Sequence, residues 1–202
     1  MGLKILFAAI SSLVGIACFV PYLRDIFKNK TKPHSYTWLV WTIIQITGVV
    51  AMLSAGASIG VASLLIGAIL CGYIFILSLR YGTRNITVFD TVCLIGALTA
   101  IFIYAFLRNP LLSVIMISLV DLVGFLPTFR KAYLEPESET ASNYLLSGIS
   151  STFALGALVN FNITTSLYLI SVTATNIACA ALIWIRGRSN KESIPPHRGG
   201  RF

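Results

Sequence analysis

Two stretches of this chain, residues 33–79 and 140–185, run for 47 and 46 residues without a single Asp, Glu, Lys or Arg. A soluble domain carries about a quarter charged residues, whereas here the share is 11%. Each run is too long for one membrane helix, which needs ~20 mostly apolar residues. The first divides at the small, glycine-containing segment 54–60, and the second at residues 160–165, both of turn-forming composition. Shorter uncharged runs supply three further helices: residues 5–23, 91–107, and 109–129, the last interrupted only by Asp121. The expectation is an all-α membrane protein with seven transmembrane helices.

Basic residues orient those helices. With seven spans, one side of the membrane holds the first, third and fifth loops and the tail. That side carries thirteen of the fifteen Lys and Arg residues, and the other carries only Lys4 and Arg108. The crowded side is therefore cytoplasmic, with the amino terminus outside and the carboxyl terminus in the cytoplasm of a plasma or inner membrane. This placement accounts for the net charge of +8, and no nucleic-acid partner is expected. The first helix has the basic residue and apolar run of a signal peptide, but its length suits a span. Cys18, Cys71, Cys93 and Cys179 all fall inside predicted helices without metal-type spacing, so they read as buried free thiols.

Sliding the sequence by 106 residues matches it to itself without a gap. Phe19-Val-Pro21-Tyr-Leu-Arg24 falls on Phe125-Leu-Pro127-Thr-Phe-Arg130, and Arg80 falls on Arg186. Trp38-Leu39 falls on Tyr144-Leu145, and the turn at Ser54 falls on the turn at Asn160. The fourth helix has no counterpart. The organisation is thus a three-helix repeat (1–83), a linker helix (84–108), a second three-helix repeat (109–187) and a disordered cytoplasmic tail (188–202). A single linker span makes the repeats parallel, a plan found among transporters with the site at the repeat interface.

This 3+1+3 layout, the outside amino terminus and the proline near the cytoplasmic end of each repeat's first helix resemble the PQ-loop and SWEET superfamily. The resemblance spans residues 5–187. Where that family often has Pro-Gln, this chain has Pro21-Tyr22 and Pro127-Thr128, and it lacks a proline in the second helix of either repeat. The resemblance implies two parallel three-helix bundles and alternating access. It also implies that Asn176, on the third helix of its repeat, lines a solute pocket; the first repeat offers Leu70 or the adjacent Cys71. An acidic residue in the fifth helix serves proton coupling in some lysosomal members, and Asp121 stands in a similar place.

Polar side chains at mid-membrane depth are the candidate site. Helix centres fall near Gln45, Leu70-Cys71, Asp121, Ser150-Ser151 and Asn176. Such groups face a bundle interior and mark a pathway, or they bond neighbouring helices as polar glue. Asp121 is the sharpest, because an acid at a helix centre costs ~2.5–3.5 kcal/mol on insertion scales. Its partner at the 106-residue offset is Gly15, so the charge is no part of the shared scaffold. Gln45, Asp121, Ser151, Asn176, Trp41 and Cys71 are the substrate-binding candidates, with Asp121 also the proton-coupling candidate. Pro21 and Pro127 are candidate gating hinges, since a helical proline frees a carbonyl and permits a kink. Trp38 and Trp41 fit an aromatic belt or a stacking surface, and His34, in a basic loop, reads as solvated.

No Lys or Arg is expected inside any helix, all fifteen falling at ends, loops or tail, which disfavours an anionic substrate and a Schiff-base chromophore. An enzyme is disfavoured too, because Asp121 lacks a partner acid, base or nucleophile. No cofactor or metal is expected. The leading expectation is a facilitator or proton-coupled carrier of a small neutral or cationic solute such as a sugar or amino acid. The rivals are a vitamin-precursor carrier of the nicotinamide-riboside type and a membrane receptor or scaffold. The partners expected are a small solute and the lipid bilayer, and the layout is compatible with a homo-oligomer.

The topology is directly testable. In a background lacking the native thiols, a cysteine at Asn162 is expected to react with an impermeant reagent added outside sealed cells. A cysteine at Lys30 should react only after permeabilisation; labelling of Lys30→Cys in sealed cells would invert the orientation.

Overall fold

The chain folds as a bundle of helices. The computed structural model describes residues 2–54, 61–104, 106 and 109–192. These form α1 (Gly2–Ala17), α2 (Phe19–Phe27), α3 (Ser35–Ser54), α4 (Val61–Tyr81), α5 (Val88–Tyr104), α6 (Pro110–Leu134), α7 (Ala141–Ala157) and α8 (Ile163–Glu192). One 3-10 turn, Pro136–Ser138, joins α6 to α7, and no strand occurs among the described residues. The expected turn at 54–60 lies outside the described residues beyond Ser54, as do Arg108 and residues 193–202 of the expected tail.

Three helices are long and apolar enough to cross a membrane: Gly2–Phe27 taken through its break, Leu111–Leu134 and Ile163–Ser189. Leu65–Tyr81 and Val88–Ile103 are shorter apolar helices. Leu13, Ile69, Ile76 and Val92 point outward and are exposed, an arrangement suited to lipid rather than water. These features mark a helical membrane protein.

Local chemistry sets several helix ends. The Asn109 side chain accepts from the backbone N–H of Leu111 and Leu112 at 3.0 and 3.1 Å, and Pro110 occupies the first turn of α6. Asn162 caps α8 in the same manner, accepting from Thr165 N–H at 3.1 Å. Pro21 has no N–H to give the carbonyl of Ala17, and α1 ends at Ala17 before α2 resumes. Pro127, its equivalent, sits inside α6, which continues through it to Leu134. The two candidate hinges therefore differ: one lies at a break, the other in a continuous helix. At the far end, α8 runs through Arg186 and Arg188 to Glu192, so residues 188–192 are helical where a disordered tail was expected.

Packing follows a reciprocal pattern. α1 lies along α7, and α3 lies along α6; α3 also packs on α4, α7 on α8, and α5 on α6 and α3. At the 106-residue offset α1 corresponds to α6 and α3 to α7, so the α1–α7 and α3–α6 contacts are the same pairing made twice. The symmetry is incomplete, because α6 packs closely on α8 while α4 touches α1 and α2 only slightly.

One end of the bundle gathers the loops. Lys32 N–H donates to Ser138 O at 2.9 Å, Thr83 N–H to Pro33 O at 3.1 Å, and Arg186 Nε to Tyr133 O at 3.2 Å. These bonds hold the α2–α3, α4–α5 and α6–α7 connections together with the last part of α8, and this is called the basic end below. At the opposite end Lys4 Nζ donates to Leu158 O at 2.7 Å, joining the start of α1 to the close of α7.

Glycines admit the closest helix approaches. A Cβ on Gly148 of α7 would stand 2.7 Å from Ile177 Cγ1 and 3.5 Å from Ile177 N on α8. Since a β-branched side chain has few ways to retreat, Gly148→Ala is expected to destabilise the protein by ~1–3 kcal/mol. A lowered melting temperature in detergent checks this; an unchanged one would mean that α7 and α8 separate freely.

Candidate functional site

A cavity of about 190 Å³ lies at the centre of the bundle, lined from α1, α2, α3, α4, α6, α7 and α8. All six substrate-binding candidates named from sequence line it: Trp41, Gln45, Cys71, Asp121, Ser151 and Asn176. Pro21 and Pro127 are not among its lining residues. The volume corresponds to about six waters and falls below the ~300–1,000 Å³ of drug-sized pockets.

The lining carries the internal repeat. Gly15 and Asp121, Phe19 and Phe125, Trp41 and Ser147, Ile44 and Ser150, and Gln45 and Ser151 are pairs at the 106-residue offset, and every member faces the cavity. Five such pairs place the cavity where the two halves of the chain meet.

Hydrogen bonding separates polar residues bonded within their own helix from those that join helices. Ser151 Oγ donates to Ser147 O at 3.0 Å and Asn176 Nδ2 to Val172 O at 2.9 Å, each within its own helix. Bonds between helices come from other residues. Ser150 Oγ donates to Ser11 O at 2.8 Å, Ser147 Oγ to Cys18 Sγ at 3.3 Å, and Thr128 Oγ1 to Thr37 Oγ1 at 3.0 Å. All four cysteines are free and buried, as their positions implied.

Three polar atoms on the cavity lining are buried without a protein partner: Asp121 Oδ2, Asn143 Oδ1 and Trp41 Nε1. Trp41 comes near the Asp121 carboxyl but meets no partner at hydrogen-bonding geometry. A buried polar atom left unpaired costs ~1–3 kcal/mol, so three around one small cavity mark a place where water or a solute completes the bonding.

Asn143 and Tyr168 line the cavity without having been singled out in the sequence. Asn143, Ser147, Ser150 and Ser151 follow the i, i+4, i+7, i+8 spacing of one helical face, and Tyr168, Val172 and Asn176 recur every fourth residue. That periodicity was available as a signal. Trp38 is almost fully buried and lines the cavity with Trp41, so the aromatic-belt reading gives way to an interior one.

An aromatic cluster lies at the basic end of the cavity. Trp38 meets Tyr22 at a tilt with ring centres 4.9 Å apart and Trp41 edge to face at 5.0 Å, while Trp41 meets Phe125 at 4.6 Å. Behind the rings sits Glu139. Its Oε2 accepts from Tyr22 at 3.3 Å and Tyr144 at 2.9 Å, and its Oε1 accepts from Lys131 Nζ at 2.7 Å. Trp38 Nε1 in turn donates to the Tyr22 hydroxyl at 3.1 Å. Lys131 is 0% exposed, although from sequence it reads as an ordinary basic loop-end residue.

A second network lies beside it. His34, expected in solvent, is fully buried with Nε2 3.4 Å from Asp90 Oδ2. Asp90 also accepts from Arg130 Nη2 at 2.6 Å and Nε at 2.9 Å. Burial pushes the His34 imidazole down to about 4, which keeps it neutral at neutral pH. On the other flank, a cavity of about 220 Å³ lies where α1 and α4 diverge, sharing Gly15, Phe19, Gln45 and Ser150 with the central one.

Among the described residues no cluster of His, Cys, Asp or Glu could hold a metal ion. Comparison with protein-family models, with curated proteins and with solved structures gave no match to this chain.

The buried ion pair generates a test. Lys131→Met leaves Glu139 charged and without its cation, and is expected to cost ~3–5 kcal/mol. Adding Glu139→Gln removes the stranded charge while keeping an acceptor for the tyrosines, and should recover most of that loss. Thermal melting of the two variants checks this; equal melting temperatures would show that the stranded Glu139 charge is not what destabilises Lys131→Met.

Proposed function

We propose that this chain is a seven-span transporter of a small neutral or cationic solute, working by alternating access between two parallel three-helix bundles. The observation that carries this reading is the central cavity whose lining contains five pairs related by the internal repeat. A site shared equally by two halves can be exposed to either side as the halves rock about it. The resemblance to the PQ-loop and SWEET superfamily supports the same reading, with the amino terminus outside and the basic end in the cytoplasm.

In this conformation the basic end is shut by the aromatic cluster and the Glu139 network. Opening it requires Tyr22 on α2, in the first repeat, to part from Glu139, which stays with Tyr144 and Lys131 in the second. The break at Ala17 lets α2 swing relative to α1, whereas α6 would move as one rod about its internal Pro127. Asp121 is positioned to couple solute movement to a proton, because it lines the cavity with an unpaired oxygen.

The nicotinamide-riboside type remains the second reading, favoured by the rings of Phe19, Trp38, Trp41, Phe125 and Tyr168 around the cavity. Against it stands the volume of about 190 Å³, small for a two-ring nucleoside.

Counterflow in proteoliposomes tests the proposal with a panel of sugars, amino acids, amines and vitamins. At least one solute is expected to exchange, and Asp121→Asn is expected to keep exchange while losing its pH dependence. If the variant shows the wild-type pH profile, Asp121 is structural. Absence of flux for the whole panel would remove the transporter reading.

A further inference from the structure

The central cavity has one formal charge and several aromatic faces. Asp121 is 4% exposed, and no Lys or Arg is among the residues lining the cavity. An anionic or zwitterionic solute would bring a carboxylate beside Asp121 with no cation to receive it, and like charges in a low-dielectric site repel strongly. A neutral solute would leave the buried carboxylate uncompensated whenever it is ionised.

The unpaired atoms point the same way. Two are acceptors, Asp121 Oδ2 and Asn143 Oδ1, and one, Trp41 Nε1, is a donor. A ligand that satisfies them must present more N–H or O–H groups than lone pairs. A protonated amine supplies only donors, and a hydroxyl beside it can accept from Trp41. Trp41 and Phe125 meet edge to face at 4.6 Å on the same lining, and aromatic faces attract an ammonium ion once water is excluded. The cavity of about 190 Å³ suits a small ligand.

Resting on the transporter reading, we propose that the solute is a small organic ammonium ion without an acid group, of the amino-alcohol class, held between Asp121, Asn143 and Trp41. This is narrower than a sugar or amino acid: it needs the positive charge and excludes the carboxylate.

Three probes of nearly one shape separate these requirements. Ethanolamine carries the ammonium and hydroxyl, ethylene glycol replaces the ammonium by a second hydroxyl, and serine adds a carboxylate to ethanolamine. Binding to the purified full chain is read by tryptophan fluorescence, since Trp38 and Trp41 line the cavity while Trp184 lies exposed elsewhere. Movement is read separately, as counterflow of labelled ethanolamine in proteoliposomes. Ethanolamine is expected to bind and exchange, with glycol and serine weaker by about tenfold or more. Asp121→Asn should lose ethanolamine binding by a similar factor, and Asp121→Glu should keep most of it. Equal binding of glycol or serine, or no binding of ethanolamine, overturns the ammonium assignment, even if another solute is carried. Selective ethanolamine binding without counterflow supports the ammonium site and instead overturns the transporter reading. Should Asp121→Asn not fold, the three probes on the unaltered protein still decide.

Discussion

The pairing of α1 with α7 and of α3 with α6 holds the two halves of the chain together, and the cavity exists because that pairing is made twice. Each pair is antiparallel and crosses between repeats. In lipid there is little hydrophobic gain from bringing helices together, so close packing and inter-helix hydrogen bonds must supply the attraction. The α1–α7 seam has both, with Ser150 bonded to Ser11 and Ser147 to Cys18. The α3–α6 seam has the Thr128–Thr37 bond and the Gly124–Val40 approach. Because each seam ties one repeat to the other, the space between them is bounded by equivalent residues on both sides.

The two ends of that space are secured differently. At the basic end, Glu139 collects two tyrosines and a lysine, and Asp90 collects an arginine beside a buried histidine. Taking such groups out of water costs several kcal/mol per ion, and only near-complete hydrogen bonding offsets it. A network built this way is stable while intact and weak once one partner leaves. At the opposite end the described residues supply the Phe7–Phe153 ring contact, with centres 5.7 Å apart, and the exposed Lys4 ammonium donating to Leu158 O and Val159 O.

Much of the helical layout was legible because lipid forces the backbone to satisfy itself within helices and forces charges to the helix ends. Charge-free runs therefore delimited the helices, and counting to their centres reached Gln45, Asp121, Ser151 and Asn176, all on one cavity. Charges at helix ends were a different matter. Lys131, Glu139, Asp90 and His34 sit where a sequence reads solvation, and their burial depends on partners 40 to 117 residues away as well as nearby ones. Only the tertiary arrangement decides which end-charges turn inward. Trp38 was ambiguous for a similar reason: its depth suits either a lipid interface or a core, and the Tyr22 hydroxyl it donates to lies on another helix. The unequal fates of Pro21 and Pro127 were invisible too, since both lack the same N–H and only one helix breaks.

The departure from symmetry at Asp121 has a packing cause. On α1 its equivalent is Gly15, where an added Cβ would lie 2.9 Å from Ser150 Oγ on α7, so that seam is tight at this level. On α6 the tight point is instead Gly124, whose Cβ would lie 2.9 Å from Val40 Cγ1 on α3. That is three residues, nearly one turn, closer to the basic end. Moving the close approach down the helix leaves room at the level of Asp121 for a carboxyl group beside Trp41. A symmetric chain would place either two glycines or two carboxylates at the meeting point of the halves. Two glycines would leave no charge at that point, and two carboxylates would repel each other across so small a cavity. A shifted glycine on one seam gives a single carboxylate at the meeting point, among five pairs of lining positions related by the repeat.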